Sequence, residues 1–105
     1  PERCSMAGWA QSYIECLKRG VTVKFRPKGN SMVPRINSGD LVTVEPLKDP
    51  PEVGDIVLCK VNGKQYLHLV KAVNINSFQI GNNRGRINGW THINNIFGIC
   101  TKVEK

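Results

Sequence analysis

Asn62-Gly63 constrains this chain more than any other pair of residues in it. Both residues accept the positive φ of a type I′ turn, and such a two-residue turn joins neighbouring antiparallel strands. The pair stands between two apolar runs, Ile56-Val57-Leu58-Cys59-Lys60-Val61 and Tyr66-Leu67-His68-Leu69-Val70. A two-residue loop there sets Val61 opposite Lys64, Cys59 opposite Tyr66 and Val57 opposite His68. Side chains alternate across a strand, so Tyr66, His68 and Val70 face one way while Leu67, Leu69 and Lys71 face the other. On that parity, His68 and Lys71 reach the same site only if a bulge intervenes.

The rest of the chain reads as short strands after one helix. Met6, Trp9, Ala10, Tyr13, Ile14 and Leu17 recur at the spacing of one helical face. This predicts an amphipathic helix over about residues 5–19, with Ser5 as N-cap and Gly20 as stop. Val21, Val23 and Phe25 then alternate with Thr22, Lys24 and Arg26, which marks a half-buried strand. Further strands are expected over Leu41 to Glu45, Ile56 to Val61, Lys64 to about Val73, Phe78 to Ile80 and Ile96 to Val103. A turn is expected over Asn74 to Ser77, and the glycine- and asparagine-rich stretch from Gly81 to Gly89 reads as a loop. The predicted fold is mainly β, a curled antiparallel sheet or partial barrel with one N-terminal amphipathic helix. The 105 residues suffice for one domain, 1–105.

Composition narrows the function classes. No apolar run approaches the roughly 20 residues needed to cross a bilayer, so no transmembrane anchor is expected. Cys4, Cys16, Cys59 and Cys100 show no close ligand pairing, so no metal or other cofactor is expected, and four reduced thiols suit a cytoplasmic protein. The net charge of +7 raises nucleic-acid binding as an alternative. However, the basic residues are spread thinly and the aromatics do not interleave with them as a stacking platform requires, so nucleic acid is not the favoured partner. Lys24, Arg26 and Lys28 read as a solvated strand face.

The stretch Gly29-Asn30-Ser31-Met32-Val33-Pro34 carries the chemistry. It sets a lone serine in a turn beside a conformationally permissive glycine, and such a serine becomes a nucleophile when a base lies next to it. His68, His92 and Lys71 are the candidate bases.

Several short motifs follow one another in order: Gly29-Asn30-Ser31-Met32-Val33-Pro34, Gly39-Asp40-Leu41-Val42, Gly54-Asp55-Ile56-Val57, Tyr66-Leu67-His68-Leu69-Val70, Ile80-Gly81-Asn82-Asn83 and Ile96-Phe97-Gly98-Ile99. Together they resemble the catalytic domain of the signal peptidase and LexA-type serine peptidases over about residues 25–103. The resemblance implies Ser31 as nucleophile and places the base at His68. Most bacterial members use lysine there, and archaeal and endoplasmic-reticulum signal peptidases use histidine. Histidine-type members carry an aspartate in the loop after the Gly-Asp-Asn motif, where this chain has Asn88. Asparagine holds an imidazole tautomer but does not stabilise its positive charge as a carboxylate does. Backbone amides around Ser31 and Met32 would form the oxyanion hole, with Asn30 as a further donor in place of the serine that some members carry at Gly29. The implied function is a small soluble serine peptidase acting on a protein or peptide substrate. Its alternative is a catalytically weak or inactive module of the same fold that binds a peptide or protein partner. Ala7-Gly8 is the type of small-residue bond that self-cleaving members cut, although the helical pattern spans it.

Overall fold

The computed structural model describes residues 9–29 and 31–105. Cys4, Ser5, Met6, the Ala7-Gly8 bond and Asn30 therefore lie outside the described residues. The elements run α1 (Gln11–Lys18), β1 (Val23–Phe25), β2 (Leu41–Pro46), β3 (Ile56–Val61), β4 (Lys64–Asn74), β5 (Ser77–Gly81), β6 (Ile87–His92) and β7 (Ile96–Glu104). The seven strands form one antiparallel sheet in the order β1-β2-β7-β3-β4-β5-β6. The fold is mainly β with one short N-terminal helix, as the sequence predicts, and the sheet stays open between β1 and β6.

The β3–β4 hairpin has the register set by its turn. Asn62 and Gly63 both hold positive φ, 51° and 83°. Val61 pairs with Lys64, Cys59 with Tyr66 and Val57 with His68. This hairpin is buried on both faces, which explains its nearly continuous apolar sequence. Ile56, Leu58, Leu67 and Leu69 enter one core with Ala10, Ile14 and Leu17 of the helical segment and Val42 and Val44 of β2. Val57, Cys59, Val61 and Val70 enter a second core with Phe78, Ile80 and Ile96.

The two Gly-Asp motifs are the same turn used twice. Gly39 and Gly54 hold φ of 91° and 97°, as the third position of a type II turn requires. Asp40 N–H donates to Asn37 O and Asp55 N–H to Glu52 O, both at 3.0 Å. Each carboxylate closes its turn by accepting the first residue's N–H, Asn37 at 2.9 Å and Glu52 at 2.8 Å. The turns launch β2 and β3, the two strands that flank β7 in the sheet.

Three expectations are corrected. The helix begins at Gln11, after a turn at Trp9–Ala10, because a tertiary partner sets its start: Ala10 N–H donates to Gln65 Oε1 on β4 at 2.8 Å. The stretch 81–89 is not all loop, since β6 begins at Ile87 and pairs along β5 from Gly81 to Ser77. Asn88 and Gly89 have low intrinsic strand preference, and pairing overrides it. Lastly, the strict alternation expected along β4 is interrupted, because the β4–β5 register shifts between Val70 and Ala72 and leaves a bulge at Lys71.

Candidate active site

Ser31 lies in the loop between β1 and β2, and that loop is tied down at several points. Arg26 Nη1 donates to Gly39 O at 2.8 Å, and Gly39 N–H donates to Pro27 O at 3.1 Å, closing its base. Met32 and Ile36 bury their side chains in the helix-side core and anchor its middle. Asn83, from the turn after β5, reaches across: its N–H donates to Ser31 O at 2.9 Å and its Nδ2 to Val33 O at 3.0 Å. Asn83 is the residue sequence reasoning missed. It reads as a turn former, and that role belongs to Asn82, whose Oδ1 accepts from Arg84 N–H and Arg86 N–H.

The strand pairing leaves room for this loop beside His68. β4 starts at Lys64, but β5 joins it only from the Leu69–Gly81 pair onward. His68 thus sits where β4 has β3 on one side and the serine loop near its other. Ser31 Oγ lies 3.1 Å from His68 Nε2. On the far side of the ring, Nδ1 lies 2.6 Å from Asn88 Oδ1 on β6. An amide oxygen only accepts, so Nδ1 carries the proton and the Nε2 lone pair faces the serine hydroxyl. Ser31, His68 and Asn88 therefore meet, although they come from a loop and two non-adjacent strands.

The electrostatics favour a neutral imidazole. His68 is 8% exposed and packs against the Tyr66 ring at 4.9 Å. Burial lowers its pKa below the ordinary 6.5, the hydrogen bond to Asn88 acts upward, and the positive charge of Lys71 lowers it further. Lys71 lies at the β4–β5 bulge, and its side-chain carbons pass over Gly81.

The other candidates are placed elsewhere. His92 Nδ1 accepts from Asn94 N–H and caps the short 3-10 turn Ile93–Asn95. Cys59 is wholly buried, and burial pushes its thiol up to about 12, so it is inert as a nucleophile. Among the described residues, no cluster of three or more histidine, cysteine or carboxylate side chains is placed to hold a metal ion. Asn30, expected to aid the oxyanion, lies outside the described residues. Met32 is beside the serine, with its side chain in the core and its carbonyl accepting from Ile36 N–H at 2.9 Å.

A family model described as Peptidase S24-like matches residues 12–81. The chain belongs to the S24-like peptidase family. The match takes in Ser31 and His68 and ends before Asn88, so the S24-like assignment and the Asn88 contact are independent observations. No curated protein matches this S24-like chain. Among its described residues, no helix is long and apolar enough to cross a membrane.

Proposed function

We propose that this S24-like protein is a serine endopeptidase of the histidine type, cleaving a protein or peptide substrate through a Ser31/His68 dyad oriented by Asn88. The observation that carries the reading is the ordered contact Ser31 Oγ–His68 Nε2 and His68 Nδ1–Asn88 Oδ1, at 3.1 and 2.6 Å. Nε2 takes the hydroxyl proton as Ser31 Oγ attacks the peptide carbonyl carbon. The backbone amides of Ser31 and Met32 stabilise the oxyanion. His68 then passes its proton to the leaving amine, and the C–N bond breaks to give an acyl-serine. Water, deprotonated by His68, hydrolyses that ester and restores the serine. No cofactor enters these steps. The free thiols of Cys16, Cys59 and Cys100 are in keeping with a cytoplasmic setting.

A serine-directed covalent probe tests the proposal. Wild-type protein is expected to form one adduct, located at Ser31 by mass spectrometry. Ser31→Ala abolishes labelling and lowers any peptide cleavage by about a thousandfold or more while leaving the circular dichroism unchanged. Cleavage that continues at the wild-type rate in Ser31→Ala sinks the reading.

One observation favours a second reading, a peptide-binding module with weak or no turnover. The partner of His68 Nδ1 is a neutral amide, which orients the ring but supplies no negative charge to the imidazolium that forms during proton transfer. A folded protein that binds peptides and never labels at Ser31 would select it.

A further inference from the structure

The dyad opens into a hollow of about 200 Å³ whose lining includes Trp9, Lys28, Ser31, Met32, Tyr66 and His68. A second hollow of about 360 Å³ adjoins it, with Trp9, Pro27 and Lys28 common to both. The lining of the second combines aromatic rings with cationic side chains. The Tyr13 ring stacks on Phe25 at 4.3 Å, and Trp9 leans on Phe25 at 5.7 Å. Trp9 is 51% exposed, yet its indole N–H donates to Gln65 O at 3.3 Å, which fixes it where the two hollows meet. Arg26 and Lys28 complete the lining of the second hollow.

Charge is segregated around this groove. No carboxylate lines either hollow among the described residues. Four of the chain's eight acidic residues, Glu45, Asp49, Glu52 and Asp55, instead surround a separate depression beside Ile99. A cleft lined by one sign of charge against low-dielectric walls concentrates ligands of the other sign. The turn that supplies Trp9 and the helix that supplies Tyr13 thus do more than cover the core, since their aromatic edge extends the site beyond the dyad.

We infer that the groove running from Ser31 past Trp9 to Tyr13, Phe25, Arg26 and Lys28 selects an extended peptide bearing an acidic side chain next to an apolar one, a few residues away from the bond being cut. The apolar side chain packs on the aromatic wall and the carboxylate pairs with Lys28 and Arg26. This inference rests on the Ser31/His68 reading for the place of cleavage but not for binding.

Binding is therefore measured on Ser31→Ala, Trp90→Phe protein, in which Trp9 is the remaining tryptophan. The probes are fluorescein-labelled peptides with a central Ala-Gly pair, flanked on either side by Leu-Asp, Leu-Ser or Leu-Lys. The Leu-Asp peptide is expected to bind at least about fivefold more tightly than the Leu-Lys peptide at low salt, and to change Trp9 emission. High salt and the exposed-site variant Lys28→Glu each erase the preference. Equal affinity for the three peptides, no binding of any, or a preference untouched by Lys28→Glu overturns the inference. Protection of the chain's own residues 1–8 from hydrogen exchange, with peptides excluded, assigns the groove to that segment and also overturns it. The two readings fail separately. Charge-selective binding without cleavage by wild-type protein rejects the peptidase alone, and cleavage indifferent to flanking charge rejects the acidic specificity alone.

Discussion

His68 is held between a hydroxyl and an amide oxygen, and everything proposed for the site depends on which form of the ring those neighbours allow. Asn88 keeps the proton on Nδ1. Burial keeps the ring neutral, with Lys71 acting in the same direction. A base that is neutral at pH 7 is ready to accept a proton, but its conjugate acid is poorly stabilised here. Replacing Asn88 with a carboxylate reverses the second property. Asn88→Asp is expected to raise kcat at neutral pH by up to about tenfold and to move the acidic limb of the kcat/KM profile to higher pH, because an adjacent negative charge favours the imidazolium. Asn88→Ala frees the tautomer and lowers kcat by about 10–100-fold. The pH–rate profiles of the three proteins check both outcomes. A carboxylate that leaves the limb where it was removes Asn88 from the account.

At the scale of elements, the molecule depends on close approaches that only particular residues permit. Gly98 in β7 lies under the helix, and a methyl group there would meet Glu45 O at 2.7 Å, Val44 Cγ1 at 2.8 Å and Leu17 Cδ1 at 3.0 Å. One of these neighbours is a backbone atom and the other two belong to buried core side chains, so none has room to retreat. Gly98→Ala should therefore push α1 off the sheet and cost about 1–3 kcal/mol or more. For a domain of this size that lowers the melting temperature by roughly 4–8 °C per kcal/mol. Calorimetry measures it, and an unchanged melting temperature would show that the helix does not seat on β7 as described. The Phe97-Gly98-Ile99 motif is thus explained by packing rather than chemistry. The Gly39-Asp40 and Gly54-Asp55 motifs are explained by turn geometry, each glycine supplying a positive φ and each aspartate closing its own turn. The serine loop belongs to the same scale, because Asn83 fastens it from the turn after β5.

At the scale of the whole molecule, His68 and Asp40 write pH into stability in separate windows on the acid side. His68 is a weaker base folded than unfolded, so the unfolded chain binds more protons between the folded value and 6.5. Stability then rises with pH across that interval, is complete above 6.5, and is lost as pH falls through the folded value. Asp40 acts lower down. Its carboxylate accepts from Lys105 Nζ and from Asn37 N–H, both at 2.9 Å, which hold its pKa below the usual 3.8, so its contribution persists until pH falls under that figure. Urea midpoints measured across mildly acidic pH should fall for wild type and fall less for His68→Gln, with a further drop at strongly acidic pH common to both. Parallel curves for the two proteins over the upper window would exclude His68 as the source.

The sequence by itself determined what depends on neighbours along the chain. Asn62-Gly63 settled the β3–β4 register to the residue, because turn geometry and side-chain alternation are local rules. The same rules placed His68 on the opposite face from Leu67 and Leu69, and the apolar stripe of α1 was legible in Ile14 and Leu17. What the chain could not announce were the effects of distant segments. The start of α1 waits on the Gln65 side chain, β6 exists through pairing with β5, and a bulge at Lys71, whose charge bears on His68, interrupts the β4–β5 ladder. The meeting of Ser31, His68 and Asn88 is of the second kind in its geometry. Three residues separated by 37 and 20 positions come within hydrogen-bond reach only because β5 stops short of His68 and leaves space that the serine loop fills. Strand pairing and core packing are long-range, cooperative choices, so they decide distances that local propensity has no means to encode.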